Sequence, residues 1–187
     1  MLPTSQHVET VNKEKLERKA QEELDPESFA KLYEIHAPRV FRFIYFKVGS
    51  VTDAQDLTSD VFLKTWSYLR ERKTEIKSFT ALIFKIARNS VIDFYRARKS
   101  TVPLEMVDEQ AFVSETPLET LSAATDLYTL LKAMKNLKEE YRDIIVLRYL
   151  NELSFQEIAT VTGKSLLSSR VTLHRAVSAL KKIIPRL

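Results

Sequence analysis

Leu153-Ser-Phe-Gln-Glu-Ile-Ala-Thr-Val-Thr-Gly163-Lys-Ser-Leu-Leu-Ser-Ser-Arg-Val-Thr-Leu-His-Arg175-Ala176 reads as a short helix, a turn at Gly163 and a longer basic helix. That is the pattern of a helix-turn-helix, whose second helix enters the DNA major groove. Ser154 is placed to cap the first helix, and Glu157, three residues on, to reach back to it. Ile158, Ala159 and Val161 supply apolar surface, with Ala159 small enough for close approach of the second helix. Gly163 suits the positive φ that ends one helix, and Ser165 can cap the next. From Ile158 to Leu187 there is no Asp or Glu but six Lys or Arg, the balance a polyphosphate surface selects. A helical hairpin with a solvated basic face is the alternative.

Composition narrows the fold. A chain of 187 residues allows one domain or two small ones, and a hydrophobic share of 44% is enough for real cores. Only two glycines occur, against an average use of about 7%, so tight hairpins and phosphate-cradling loops are disfavoured and an all-α protein is expected. No run approaches the roughly 18 apolar residues of a membrane span, and the polar N-terminus lacks a signal-peptide core, so a cytoplasmic location is expected. With no cysteine, and with His7, His36 and His174 far apart, no metal site, cofactor site or catalytic constellation suggests itself.

Charge is arranged in blocks. Thr101–Leu131 carries Glu105, Asp108, Glu109, Glu115, Glu119 and Asp126 without one Lys or Arg, between basic stretches at Lys85–Lys99 and after Lys164. This suggests two small helical domains that face nucleic acid, joined by a flexible acidic linker. The expected boundaries are a polar arm at 1–25, a first domain at 26–99, a linker at 100–122 and a second domain at 123–187. In the first, Asp25-Pro26 reads as an N-cap with proline at N1. One helix carries Phe29, Leu32, Tyr33 and Ile35, and Pro38 starts a second that Gly49 closes. A third begins at the box Thr52–Gln55 and runs to Leu69. It has Leu57, Val61, Thr65, Trp66 and Leu69 as its apolar set, and Asp53, Asp56, Asp60 and Lys64 on another face. A polar loop, Arg70–Ser78, leads to a fourth helix at Phe79–Lys99. The second domain should pair Leu127, Leu130, Leu131, Met134 and Leu137 with a helix at Glu139–Leu150. Its last helix is expected to bury Leu173, Ala176, Val177, Leu180 and Ile184 before Pro185 ends it.

Asp53-Ala-Gln-Asp-Leu-Thr-Ser-Asp-Val-Phe-Leu-Lys-Thr-Trp66, Phe79-Thr-Ala-Leu-Ile-Phe-Lys-Ile-Ala-Arg-Asn89 and the C-terminal motif, in that order, resemble a bacterial RNA polymerase sigma factor of the extracytoplasmic-function (ECF) group. That group keeps only the second and fourth sigma regions. The resemblance covers residues 29–99 and 123–182. It implies a non-enzymatic subunit that binds core RNA polymerase through its β′ and β subunits. Such a subunit directs initiation at promoter DNA, duplex and melted single strand, and an anti-sigma factor is a possible further partner. The Asp53–Trp66 helix would dock on a coiled coil of β′, with Asp56, Leu57, Ser59, Asp60 and Phe62 as the contact set. A plain solvated acidic face is the other reading. Single-stranded −10 DNA would lie on the following loop and helix. Arg72, Lys73, Lys77, Lys85, Arg88, Arg96, Arg98 and Lys99 are the candidates there for phosphate, Asn89 for a base edge and Phe79 for stacking, although at such spacing Phe79 and Phe84 are more often core than base platforms. The acidic linker would cross the path of nascent RNA, its carboxylates mimicking phosphates.

Two departures from the family pattern stand out. Leu82 occupies a position where tryptophan is common; it is either packing or a weakened aid to strand opening. In the recognition helix, relatives often read Ser-Glu-Gly-Thr-Val-Lys-Ser-Arg-Leu-His-Arg-Ala where this chain has Ser165–Ala176. Ser169 replaces an apolar residue and Thr172 an arginine. Leu166, Leu167 and Val171 either touch thymine methyls or repack the hairpin. Lys164, Ser165, Ser168, Arg170, Thr172 and Arg175 are the −35 candidates. A dimeric self-standing regulator and an anti-regulator of polymerase are the competing classes. The basic 70–99 block argues against the first, since an effector domain has no reason to carry it.

Overall fold

A computed structural model of the chain describes Leu16, Glu17, Lys19 and residues 25–71, 76–101, 133–134 and 136–184, with backbone alone at 99–101. The chain divides into two units, Met1–Phe112 and Val113–Leu187. Among the described residues there are six helices and no strand, so the all-α expectation holds. The first unit has α1 (Pro26–Val48), α2 (Val51–Glu71) and α3 (Phe79–Thr101), and the second has α4 (Glu139–Ile145), α5 (Phe155–Thr162) and α6 (Leu166–Ile183). The expected linker beyond Thr101 and the apolar set Leu127, Leu130 and Leu131 lie outside the described residues, as do Arg72, Lys73 and Pro185.

Helix α1 starts as its sequence dictates. The Asp25 carboxylate accepts from the Ser28 amide at 2.9 Å and from the Ser28 hydroxyl, with Pro26 at the first helical position. Those hydrogen bonds, the hydroxyl's foremost, hold the Asp25 carboxyl below its ordinary pKa. Gly49 closes the helix at φ 71° and donates to the Tyr45 carbonyl at 2.9 Å. Pro38, expected to begin a new helix, instead lies inside this one. It leaves the Glu34 carbonyl without its helical donor, a cost of about 3 kcal/mol. Continuous burial of Leu32, Val40, Phe43 and Ile44 on one stripe offsets it, since each large apolar side chain contributes about 1.5–3 kcal/mol.

Helix α2 is capped by Ser50, whose hydroxyl accepts from the Asp53 amide at 3.2 Å, and not by Thr52, which is exposed in the first turn. Two buried threonines on its inner face satisfy themselves: Thr58 donates to the Ala54 carbonyl at 2.6 Å and Thr65 to that of Val61 at 2.7 Å. Ser78 starts α3 by accepting from the Ala81 amide at 3.1 Å. The three helices pack pairwise, and the opening turns of α3 fill the centre. Phe79, Ala81, Leu82, Ile83, Phe84, Ala87 and Val91 are all buried. The Phe79 ring meets Phe29 at 6.3 Å and His36 at 5.4 Å, and Phe84 meets Phe43 edge-on at 5.5 Å. The Tyr95 hydroxyl donates to the Lys47 carbonyl at 2.7 Å and ties the far end of α3 to α1.

In the second unit, α4 runs on into one π-helical turn, Val146–Leu150, in place of the regular helix expected to Leu150. The Ser154–Glu157 capping box forms in both directions: the Glu157 amide donates to the Ser154 hydroxyl at 3.2 Å, and the Ser154 amide to Glu157 Oε2 at 2.8 Å. Gly163 takes φ 72°, and Ser165 caps α6 by accepting from the Ser168 amide at 3.1 Å. Leu173 and Ala176 are buried as expected; Val177, Leu180 and Ile184 are only half-buried within this unit.

Pro38→Ala should raise the stability of the first unit by about 1–3 kcal/mol, because it restores the missing amide donor. The single tryptophan, Trp66, packs on Phe29 at 4.8 Å and reports that unfolding by fluorescence in urea.

Candidate polymerase and nucleic-acid interfaces

The helical rotations set by these cores decide which predicted residues face outward. On α2, with Ala54, Thr58, Val61, Thr65 and Leu69 buried, Asp56 and Ser59 are exposed and Asp60 half-exposed on the opposite side. Leu57 is half-buried at the edge of that face. Phe62 belongs to the core: it is 3% exposed, with its ring 4.5 Å from Tyr33 and 6.3 Å from Phe29. It cannot be part of a docking surface. In its place the outward face carries Leu63, 68% exposed and seven residues from Asp56. Its signal in the sequence is a large apolar residue at helical spacing on an otherwise polar face. Two carboxylates of α2 are tied to cations: Asp60 to Lys64 at 2.7 Å, and Asp53 to Arg98 at 3.8 Å. Lys64 also reaches the Ser90 hydroxyl at 3.2 Å, linking α2 to α3.

On α3, Lys85, Asn89, Ile92 and Arg96 form an exposed stripe, with half-buried Arg88 beside it. Lys99 falls in register with that stripe, but its side chain lies outside the described residues. Asp93 interrupts the positive charge and pairs with Arg96 at 3.4 Å, a surface contact of small energetic weight. Arg98 stands away from the stripe, toward α2, with its guanidinium 5.2 Å from the Phe94 ring. Phe79 is 0% exposed and packed by Phe29 and His36, so it cannot stack on a base. Leu82, at 8% exposure, is a packing residue. Lys77 is exposed just before α3.

On α6, Ser169, Thr172, Leu173 and Ala176 are buried. Ser168, Arg170, His174 and Arg175 are exposed, as are Leu166, Leu167 and Val171. Thr172, a −35 candidate that stands where relatives carry an arginine, is 7% exposed and its hydroxyl donates to Glu140 at 3.4 Å. The same carboxylate pairs with Lys164, so Glu140 of α4 gathers the turn and the recognition helix into one contact. The Lys164 ammonium, foremost by its hydrogen bond, holds the Glu140 carboxyl below the usual glutamate range. Lys164 therefore carries a structural pair as well as surface charge. Ser165 is exposed but engaged as the cap. The Phe155 ring has the Arg148 guanidinium at 5.2 Å and that of Arg170 at 5.4 Å. Arg148 also donates to the Leu153 carbonyl at 2.8 Å, which braces the start of α5. Among the described residues no cluster of three His, Asp or Glu is arranged for a metal. No helix there is long and apolar enough to cross a membrane.

A three-helix unit with a carboxylate-bearing face and a separate basic stripe, followed by a helix-turn-helix, defines a two-module DNA-binding transcription protein. The first module matches the Sigma-70 region 2 family over residues 32–101, and the second matches Sigma-70, region 4 over residues 127–180. The ECF RNA polymerase sigma factor BldN of Streptomyces coelicolor is 30% identical over 164 residues, covering 86% of this chain and 62% of BldN. The RNA polymerase sigma factor YlaC of Bacillus subtilis is 28% identical over 159 residues, covering 83% of this chain and 91% of YlaC. Among solved structures, CnrH in complex with the cytosolic domain of CnrY superposes with a TM-score of 0.66 at 20% identity, over 92% of this chain and 96% of that one. RpoE of Bartonella quintana, in complex with the anti-sigma factor NepR, gives 0.64 at 22% identity, over 85% and 98%. The chain belongs to the sigma-70 family of RNA polymerase sigma factors, in its extracytoplasmic-function group. As such it binds core RNA polymerase and directs transcription initiation at promoters.

Phe79→Ala should lower the stability of the first unit by about 3–5 kcal/mol in urea unfolding, as loss of a buried ring does. A loss of single-stranded DNA affinity with stability intact would contradict its place in the core. Glu140 yields a pH dependence of definite sign. Its folded pKa lies below the unfolded one, so its contribution is fully present above the ordinary glutamate range and disappears as pH falls through the lowered value. Melting temperature should therefore drop less steeply on acidification in Glu140→Gln than in the unaltered chain.

Proposed function

We propose that three outward helix faces divide the work of this sigma factor. The Asp56, Ser59, Asp60 and Leu63 face of α2 docks core polymerase: carboxylates meet a basic partner and Leu63 supplies an apolar anchor. The Lys85, Arg88, Asn89 and Arg96 stripe of α3 takes melted −10 DNA, the cations holding phosphate and Asn89 a base edge. The α6 face with Ser168, Arg170 and Arg175 enters the major groove of the −35 element. The observation that carries this reading is the rotation of each helix, which packs one side against its own unit and leaves these residues exposed or half-exposed on the other. On this reading the chain works in the cytoplasm, where polymerase is, and is not an enzyme, since bond formation belongs to the polymerase. An anti-sigma factor is included among its partners by analogy with RpoE of Bartonella quintana, which is solved with NepR.

The test is transcription in vitro by core polymerase with the full chain on fragmented genomic DNA. Discrete starts sharing two upstream motifs are expected. Failure to bind core, with sequence-specific DNA binding by the chain alone, would instead mark a self-standing regulator. Asp56→Arg with Asp60→Arg should abolish core binding while the melting profile is retained. Lys85→Ala with Arg96→Ala should keep core binding but flatten the salt dependence of promoter binding by about 1.4 in log–log slope, two single-strand phosphate contacts' worth.

A further inference from the structure

Helix α6 is amphipathic in an inverted sense over its first two turns. Its packed side takes the small polar residues Ser169, 0% exposed, and Thr172, 7% exposed, while Leu167 at 72%, Val171 at 42% and Leu166 at 38% stand in solvent. The inward polar pair is satisfied locally: Ser169 donates to the Ser165 carbonyl at 3.0 Å, and Thr172 to Glu140 at 3.4 Å. The hairpin thus closes without the aliphatic side chains, and repacking does not account for them. Leu167 and Val171 are one turn apart and share the outward stripe with Arg170 and His174.

We propose that Leu167 and Val171 read the C5-methyl groups of thymines in the major groove, so that the upstream promoter element of this sigma factor carries thymines opposite that turn of α6. The inference rests on the assignment of α6 to duplex DNA and deepens it by naming the bases. The thymine methyl is the apolar group that base edges present in the major groove. An aliphatic side chain set against any other edge would strip water from donors and acceptors without replacing their hydrogen bonds. Charge selects the occupant. Arg170 and Arg175 are exposed beside the apolar pair, Lys181 and Lys182 follow on the same helix, and no carboxylate occurs from Ile158 to Leu187. That surround suits a polyanion. Spacing agrees as well: Leu167 and Val171 are separated by about 6 Å along the helix axis, against about 3.4 Å per base along one DNA strand. The pair therefore spans about two base steps.

The test uses the full chain assembled with core polymerase, on a duplex promoter found by the transcription experiment above. Each thymine of the upstream element is replaced singly, on either strand, by deoxyuridine, which differs only in lacking the methyl. The expected result is an affinity loss of about fourfold per methyl at the contacted positions. Leu167→Ala with Val171→Ala should then bind thymine and deoxyuridine duplexes alike. Equal affinity of the unaltered holoenzyme for every deoxyuridine duplex, with initiation at the promoter intact, overturns the proposal and leaves the DNA assignment of α6 standing. A double variant that assembles with core and still loses affinity at the same deoxyuridine positions as the unaltered holoenzyme also overturns it, because the methyls are then read by other residues. No promoter-dependent initiation at all removes the proposed function beneath it.

Discussion

The first unit depends on the burial of the run Phe79–Phe84 between α1 and α2. Phe79, Ile83 and Phe84 have no exposed surface at all, and Phe29, His36 and Phe43 close around the two rings. A helix with so much of its opening turns packed has one permitted rotation about its axis. That rotation carries forward at 3.6 residues per turn and decides where Lys85 and Asn89 point and, about three turns past Phe84, Arg96. Basic residues alone would attract phosphate in any orientation. What makes them a track is that the core prevents α3 from turning, and Tyr95 pins the far end to α1 by its bond to the Lys47 carbonyl.

The second unit obeys the same logic with an unusual set of residues. Contacts between α4 and α6 and the capped turn between α5 and α6 fix the recognition helix, yet its buried side is partly hydroxyl. Hydroxyls at such positions are tolerable only when each finds a partner, because an unpaired buried donor costs roughly 1–3 kcal/mol. Ser169 uses its own helix and Thr172 uses Glu140. Glu140 is thereby more than a surface acid: with Lys164 as its second partner it joins helix, turn and helix through one carboxylate. The inward face of α6 is closed by these hydroxyls together with Leu173 and Ala176, and its outward face carries leucine and valine.

Much of this was legible in the chain. The Asp25 and Ser154 caps, Gly49, Gly163 and Ser165 state their roles locally, because each answers a local shortage of hydrogen-bond partners or a local need for positive φ. The misreadings share a different cause. Pro38 looks like a helix start because its local preference is strong, but packing on both sides of it is stronger. Motif position puts Phe62 and Thr172 on surfaces, although burial depends on the packing of neighbouring helices, which spacing alone does not give; Phe79 lies in the core, the commoner of its two readings. In sequence Arg98 falls among its basic neighbours, whereas three residues past Tyr95 the helix has turned it toward Asp53. Leu63 carries a weak signal, because an apolar residue on a polar face is common; its isolation among Asp56, Ser59 and Asp60 is what distinguishes it.

Some of the charged residues on or beside these faces are already paired within the chain, and this shapes what they can contribute. Arg96 pairs with Asp93, Lys64 with Asp60 and Lys164 with Glu140, all at exposed or half-exposed positions. Exposed pairs of this kind are worth about 0–1 kcal/mol, so phosphate or a basic partner can replace the internal partner at little cost. Each such exchange also returns little, since the gain is a difference between two similar contacts. The electrostatic gain from these paired residues is correspondingly damped, and apolar groups, which have no internal substitute, add discrimination. On α2 that group is Leu63, and on α6 it is the aliphatic pair. Side chains of this kind gain from a partner only where apolar surface meets them, which makes them poor at holding the chain to arbitrary DNA or protein and suited to choosing among sites once charge has brought the surfaces together.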